Sequence, residues 1–168
     1  MNNPQLNNNS LTDIEINNLI SMPKDIIKPP KKNFTYDKTN HMCVHNSFEC
    51  QSKDNSIDKF HIFIKKHCSL PSSFSIGLMY SNKNILLLRA NGKHDHKNKD
   101  DAQSFNDFHI HKVSAKQLQE GITNSYHADP TKNYTSFNSA LLHFCDLCGI
   151  IGIDKYFPDL RQISFFEE

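Results

Sequence analysis

A chain of 168 residues with 37% hydrophobic and 22% charged side chains has the composition of one globular domain, large enough to bury a core without disulfide staples. A formal net charge of +1 and a pI near 7.7 exclude the global field that draws a basic protein to nucleic acid or to an anionic membrane. No run approaches the roughly 18 apolar residues of a spanning helix, so no membrane partner is expected.

The five cysteines, Cys43, Cys50, Cys68, Cys145 and Cys148, are an odd set. With the opening Met1-Asn2-Asn3-Pro4, which has neither a basic segment nor an apolar one, they predict reduced thiols in a cytoplasmic protein. Residues 1–10 are Asn-rich and predict a disordered tail, and 11–168 predict a single α+β domain.

Ser10 or Thr12 can cap a first short helix, with Asp13 or Glu15 completing a capping box and Ile16, Leu19 and Ile20 forming its apolar face. Pro23 ends it, and Lys28-Pro29-Pro30-Lys31-Lys32 reads as an extended connector. Alternation then predicts a meander of about five antiparallel strands, over 41–51, 57–66, 74–80, 85–90 and 107–113. The segment Ser81-Asn82-Lys83-Asn84 is a hairpin turn between the third and fourth. The fourth, Ile85 to Ala90, is apolar on both faces until Arg89, which places it inside the sheet. The loop from Asn91 to Asn106 is long for a compact domain, and long ordered loops often carry function. Ser114 caps a short helix that Gly121 terminates. Residues Tyr126 to Thr131 read as an irregular crossing. Phe137, Ala140, Leu141, Phe144 and Cys148 recur at helical spacing and predict a C-terminal helix packed on one face of the sheet. The aromatic tail, Tyr156-Phe157-Pro158 and Phe165-Phe166, is expected to pack on the domain or on a partner.

The candidate site is a set of histidines. His109 and His111 lie two apart on a strand and therefore share a face. His94 and His96 lie in the loop that leads into that strand. A hairpin of the fourth and fifth strands would carry all four imidazoles to one end of the sheet, beside Arg89 and Asn91. Three readings stay open. In the first, the histidines are structural, hydrogen-bonded or solvated, in a module that binds a protein partner. In the second, His109 and His111 exchange protons with a substrate, His94 or His96 orients it, and Arg89 with Asn91 binds its phosphate, as cleavage of RNA or of a nucleotide phosphate without a metal requires. In the third, His94, His96, His109 and His111, with Asp95, Asp100 or Asp101, hold zinc, manganese or iron. Cys145 and Cys148 have metal-ligand spacing but fall on the apolar stripe of the last helix, which predicts buried thiols. His41 to His45, around Cys43, is a weaker source of ligands.

The order of motifs resembles a family of small bacterial proteins of unknown function. The residues are Leu19-Ile20-Ser21-Met22-Pro23-Lys24, Leu87-Leu88-Arg89-Ala90-Asn91-Gly92, Phe108-His109-Ile110-His111, and Ala128-Asp129-Pro130-Thr131 followed by Tyr134 and Phe137. The resemblance spans about residues 11 to 150. It implies a bacterial or phage origin in a toxin, defence or mobile-element setting, and no particular reaction.

Overall fold

The computed structural model describes residues 10–161, and the backbone alone of Arg161. The Asn-rich stretch 1–9 and the pair Phe165-Phe166 lie outside the described residues. The chain opens with α1 (Asp13–Ser21), capped by Thr12 and Glu15 in a reciprocal capping box. The strands are β1 (Lys24–Lys28), β2 (Thr35–Tyr36), β3 (Cys43–Ser52), β4 (Lys59–His67), β5 (Phe74–Tyr80), β6 (Ile85–Asn91), β7 (His109–Lys112), β8 (Ala128–Pro130) and β9 (Ile150–Ile151). Between them lie α2 (Ala115–Gln119), capped by Ser114, and α3 (Phe137–Leu147).

These nine strands form one sheet in the order β8-β7-β6-β5-β4-β3-β1-β9, with β2 paired to β3. Every pairing is antiparallel except β1 with β9. The fold is α+β, as expected, but the meander of about five strands is only its middle, β3 to β7. The other four strands are short, and each hides from alternation for a physical reason. β1 sits between Pro23 and Pro29 and leaves Ile27 exposed, so it resembles a connector. β8 lies in the crossing read as irregular and ends in Pro130, which an edge strand tolerates. β2 and β9 have two residues each, too few for a period.

One face of the sheet carries the core. Phe48, Cys50, Phe60, Ile62, Ile64, Phe74, Ile76 and Leu78 pack in one cluster with Ile16, Leu19 and Ile20 of α1. Ala140, Leu141, Phe144 and Cys145 of α3 join the same cluster, with Cys148 just beyond the helix. Each Leu, Ile or Phe side chain among them contributes roughly 1.5–3 kcal/mol by leaving water. Cys145 and Cys148 are buried as expected. Burial raises both thiols, Cys148 to about 12, which keeps them protonated and poor ligands.

Lys24 joins the two helices. It is wholly buried, and its Nζ donates to the carbonyls of Ile20 (2.8 Å), Met22 (2.9 Å) and Cys148 (2.7 Å). These acceptors lie at the C-terminal ends of α1 and α3, where unpaired carbonyls and the helix dipole favour a cation. Pro23 ends α1 and places Lys24 there.

Candidate functional site

The site lies on the opposite face of the sheet. Antiparallel register brings distant residues side by side on it. Arg89 is paired with His111 and Asn91 with His109 across β6 and β7. Asn91 and Arg89 are also paired with Ser75 and Gly77 of β5, and Ser75 with Lys65 of β4. His109, His111, Asn91, Arg89, Ser75 and Lys65 thus share one face.

Residues 92–108 fold back over β6 and β7. Gly92 starts this return: its amide donates to the Phe74 carbonyl (2.9 Å) and the Lys93 amide to the Ser72 carbonyl (2.8 Å). A Cβ on Gly92 would collide with the Ser72 carbonyl, so only glycine fits this approach. Further on, His96 and Phe105 exchange backbone hydrogen bonds, both 2.8 Å, and close a small hairpin inside the loop. Asn98 docks that hairpin on β8. Its Oδ1 accepts from the Ala128 amide (2.8 Å), and its Nδ2 donates to the Ala128 carbonyl (2.9 Å) and to Asp101 (2.8 Å).

The four predicted histidines therefore meet. The His94 ring centroid is 4.5 Å from that of His109, and His96 is 5.2 Å from His109 and 5.1 Å from His111. Nitrogen atoms of His94, His96 and His109 all lie within 4.8 Å of one another. His96, His109 and His111 are buried, and His94 is exposed. Phe105 and Tyr126 pack beside His96 at 5.3 and 4.8 Å.

Hydrogen bonds fix the tautomers. Asn98 Oδ1 is an acceptor, because it already takes the Ala128 amide, so His96 Nε2 at 3.1 Å must carry the proton. The lone pair of His96 is then on Nδ1. His109 Nδ1 is 2.8 Å from the Asp107 carbonyl and must donate to it, which leaves the lone pair on Nε2. Asn91 turns its amide nitrogen to His109 Nε2 (3.3 Å) and His111 Nε2 (3.2 Å), while its Oδ1 accepts from Ser75 (2.8 Å). His111 therefore bears its proton on Nδ1, a buried atom beside the His127 backbone that makes no hydrogen bond of good geometry.

Burial, aided by neighbouring cationic groups, lowers the basicity of His94, His109 and His111. For His111 the main cause is burial, followed by the Arg89 charge, and its pKa is pushed down to about 3. Backbone contacts from Gly92 to His94 and from Asp107 to His109 oppose the shift without cancelling it. At neutral pH these three imidazoles are neutral and carry free or weakly engaged lone pairs.

Beside the cluster lies a pocket of about 280 Å³, lined among others by Lys65, Ser75, Arg89, Asn91 and His94. Cys43 and His67 also line it. Lys65 pairs with Asp37 at 3.2 Å. Arg89 makes no salt bridge among the described residues, and its buried Nε has no hydrogen-bond partner. Burial lowers its pKa, but a guanidinium starts so high that it stays charged.

The residues singled out in the sequence, His94, His96, His109, His111, Arg89 and Asn91, lie near one another on this face. The acidic candidates are not turned to it. Asp101 accepts from Asn98, Asp95 accepts from Asn106 (3.1 Å), and Asp100 is exposed. His45 lies exposed across β3 from Lys65, and His41 is exposed in the turn before that strand. Sequence reasoning missed Asn98, Ser75, Lys65 and Tyr134. The Tyr134 hydroxyl lies 3.1 Å from the Asn91 carbonyl and 2.9 Å from that of His109, and so braces β6 and β7 from the core side. Of the four, only Tyr134 carried a signal, its place in a motif.

Among the described residues no helix is long and apolar enough to cross a membrane. No curated protein and no solved structure matches the chain. A family model described as a family of unknown function (DUF6978) matches residues 11–150, the span over which the motif order was read, and the chain belongs to that family.

Proposed function

We propose that this protein binds a phosphate-bearing ligand, RNA or a nucleotide, in the Arg89 pocket and cleaves a phosphoester bond there. The observation that carries the reading is Arg89: a half-buried guanidinium, its buried Nε without a partner and no salt bridge among the described residues, lining a pocket that abuts the histidine cluster. A guanidinium without a partner inside a protein is costly, and a phosphate offers it a planar, two-point match. Lys65 lines the same pocket and supplies a second cation, while Ser75 and Asn91 line it with their side-chain protons already given to Asn91 Oδ1 and to His109 and His111. The pocket is sized for a phosphate and part of a nucleoside rather than for a folded duplex.

The chemistry follows from the lone pairs. His109 and His111, expected as an acid and base pair, are both held neutral, and a neutral pair offers no acid. The cluster is therefore the basic end of the site. It takes the proton of an attacking hydroxyl or water as the new P–O bond forms and the bond to the leaving oxygen breaks. The leaving oxygen takes its proton from water. Arg89 holds the charge that builds on the phosphoryl oxygens.

The test is a screen of short mixed-sequence RNA, cyclic nucleotides and nucleoside di- and triphosphates, with and without divalent metal. Wild type, Arg89→Met and His109→Ala are compared after circular dichroism has shown each to be folded. Turnover by wild type that falls at least ~10²-fold in both variants supports the reading. Equal background from all three under every condition rejects it and leaves a binding module with structural histidines.

A further inference from the structure

We infer that His94, His96 and His109 form a three-histidine site for a divalent transition-metal ion of the zinc class. The role of that ion rests on the proposed function. The site itself rests on the geometry of the imidazoles alone.

Three nitrogens within 4.8 Å of one another can surround one ion, since a metal about 2.0–2.1 Å from each of three imidazoles holds them some 3–3.5 Å apart, and small ring rotations close the gap. Proximity is not the main reason, because histidines also gather on polar sheet faces without a ligand. The orientation of each ring is more telling. His96 is held by Asn98 through Nε2–H and His109 by the Asp107 carbonyl through Nδ1–H, while the Gly92 backbone engages His94. A metal-binding histidine characteristically gives its second ring N–H to an oxygen acceptor, which fixes the tautomer and turns the lone pair to the ion. Asn98 is itself held by three further hydrogen bonds, so the support extends one residue beyond the ring.

The donor set selects the ion. Three imidazole donors suit zinc, cobalt, nickel or iron better than magnesium or calcium, which prefer oxygen. No thiol joins the three-histidine group: Cys145 and Cys148 lie in the core on the other side of the sheet, and Cys43 lines the neighbouring pocket outside that group. Three protein ligands leave a fourth position open, as in catalytic zinc sites rather than structural ones. His94 lines the Arg89 pocket as well as the cluster, so that position faces the pocket. There the ion would bind water and lower its pKa toward neutrality, so that in the loaded protein the metal replaces the His94, His96 and His109 lone pairs it occupies as the group that generates the nucleophile of the proposed reaction. His111 is not a ligand: its Nε2 accepts from Asn91 and its Nδ1–H is buried. Asn91 would give up its longer contact, to His109 Nε2, and keep those to His111 and Ser75.

The test uses the full chain, stripped with chelator and titrated with zinc by calorimetry, then with cobalt by absorption. The expected result is one ion per chain and cobalt bands without a thiolate charge-transfer component. Long-range ¹⁵N spectra should show zinc moving His96 Nδ1 and His109 Nε2, with His111 keeping its tautomer. His94→Ala, at an exposed position, and Asn98→Ala should each weaken zinc by ~10-fold or more. Exposed His45→Ala and the double variant Cys145→Ser, Cys148→Ser should leave zinc affinity unchanged. Failure of wild type to bind zinc at micromolar concentration would overturn the inference. So would stoichiometric binding that survives His94→Ala with the histidine spectra unmoved, or binding lost with the cysteines. Inorganic phosphate, titrated separately into apo and zinc forms, keeps the two readings apart. Zinc without phosphate binding removes the proposed function and keeps the metal site, and phosphate without zinc does the reverse.

Discussion

At the scale of the residue, the site depends on small groups that hold large ones. Gly92 lets the chain pass against Ser72 to Phe74, and two residues later His94 faces the pocket. Gly92→Ala forces a Cβ into the Ser72 carbonyl, and the strand end must move. We expect a loss of stability of about 1–3 kcal/mol, as for other overpacked positions, read as a lower urea midpoint. An unchanged midpoint would show that the approach is looser than described. The four histidines, Arg89 and Asn91 were legible in the sequence because spacing of two on a strand, followed back through one hairpin, is enough to bring them together. Lys65 and Ser75 were not, because they reach the pocket through the register of two further strand pairs, which alternation does not give. Asn98 was hidden for another reason. It stands in a polar loop among lysines, and nothing local shows that its amide will pair with the backbone of Ala128, 30 residues on.

At the scale of the element, strands and helices were legible where periodicity was long enough. β3, β4 and β7 alternate over 4 to 10 residues, β5 and β6 are mostly apolar runs of 7, and α1 and α3 carry caps and apolar stripes. β1 escaped because its decisive residue is a buried lysine. Lys24 holds the ends of α1 and α3 together through three carbonyls, and burial pulls its pKa down from near 10.5 to about 8. Between these values the unfolded chain holds more protons at this amine than the folded one, so this group makes stability rise with pH across that window. Other groups titrate there too, so the useful quantity is the difference in unfolding free energy between wild type and Lys24→Met, measured under reducing conditions. From pH 7.5 to 10.5 that difference should move in favour of wild type by up to about 3 kcal/mol, at roughly 1.4 kcal/mol per pKa unit. A difference that stays constant would mean that Lys24 titrates alike in both states.

At the scale of the whole molecule, the sheet divides the labour. One face buries the core against α1 and α3. The other, covered at one end by residues 92–108, keeps cations and imidazoles in a half-buried setting where charge is strongly felt. Tyr134 crosses between the two, from the core to the carbonyls of Asn91 and His109. The fold class was legible from composition and alternation, while the width of the sheet was not, since its outer strands are held by pairing rather than by pattern. In the proposed function Arg89 and the histidine cluster are one site for phosphate. Nuclear magnetic resonance of Arg89 Nε–H and the His94 ring during titration with a nucleoside monophosphate puts this to the test. Both signals should move together and saturate at the same concentration, with Arg89 Nε–H shifting as it gains its first acceptor. An Arg89 signal that stays fixed while ligand binds elsewhere, or that never moves at millimolar ligand, would contradict the account.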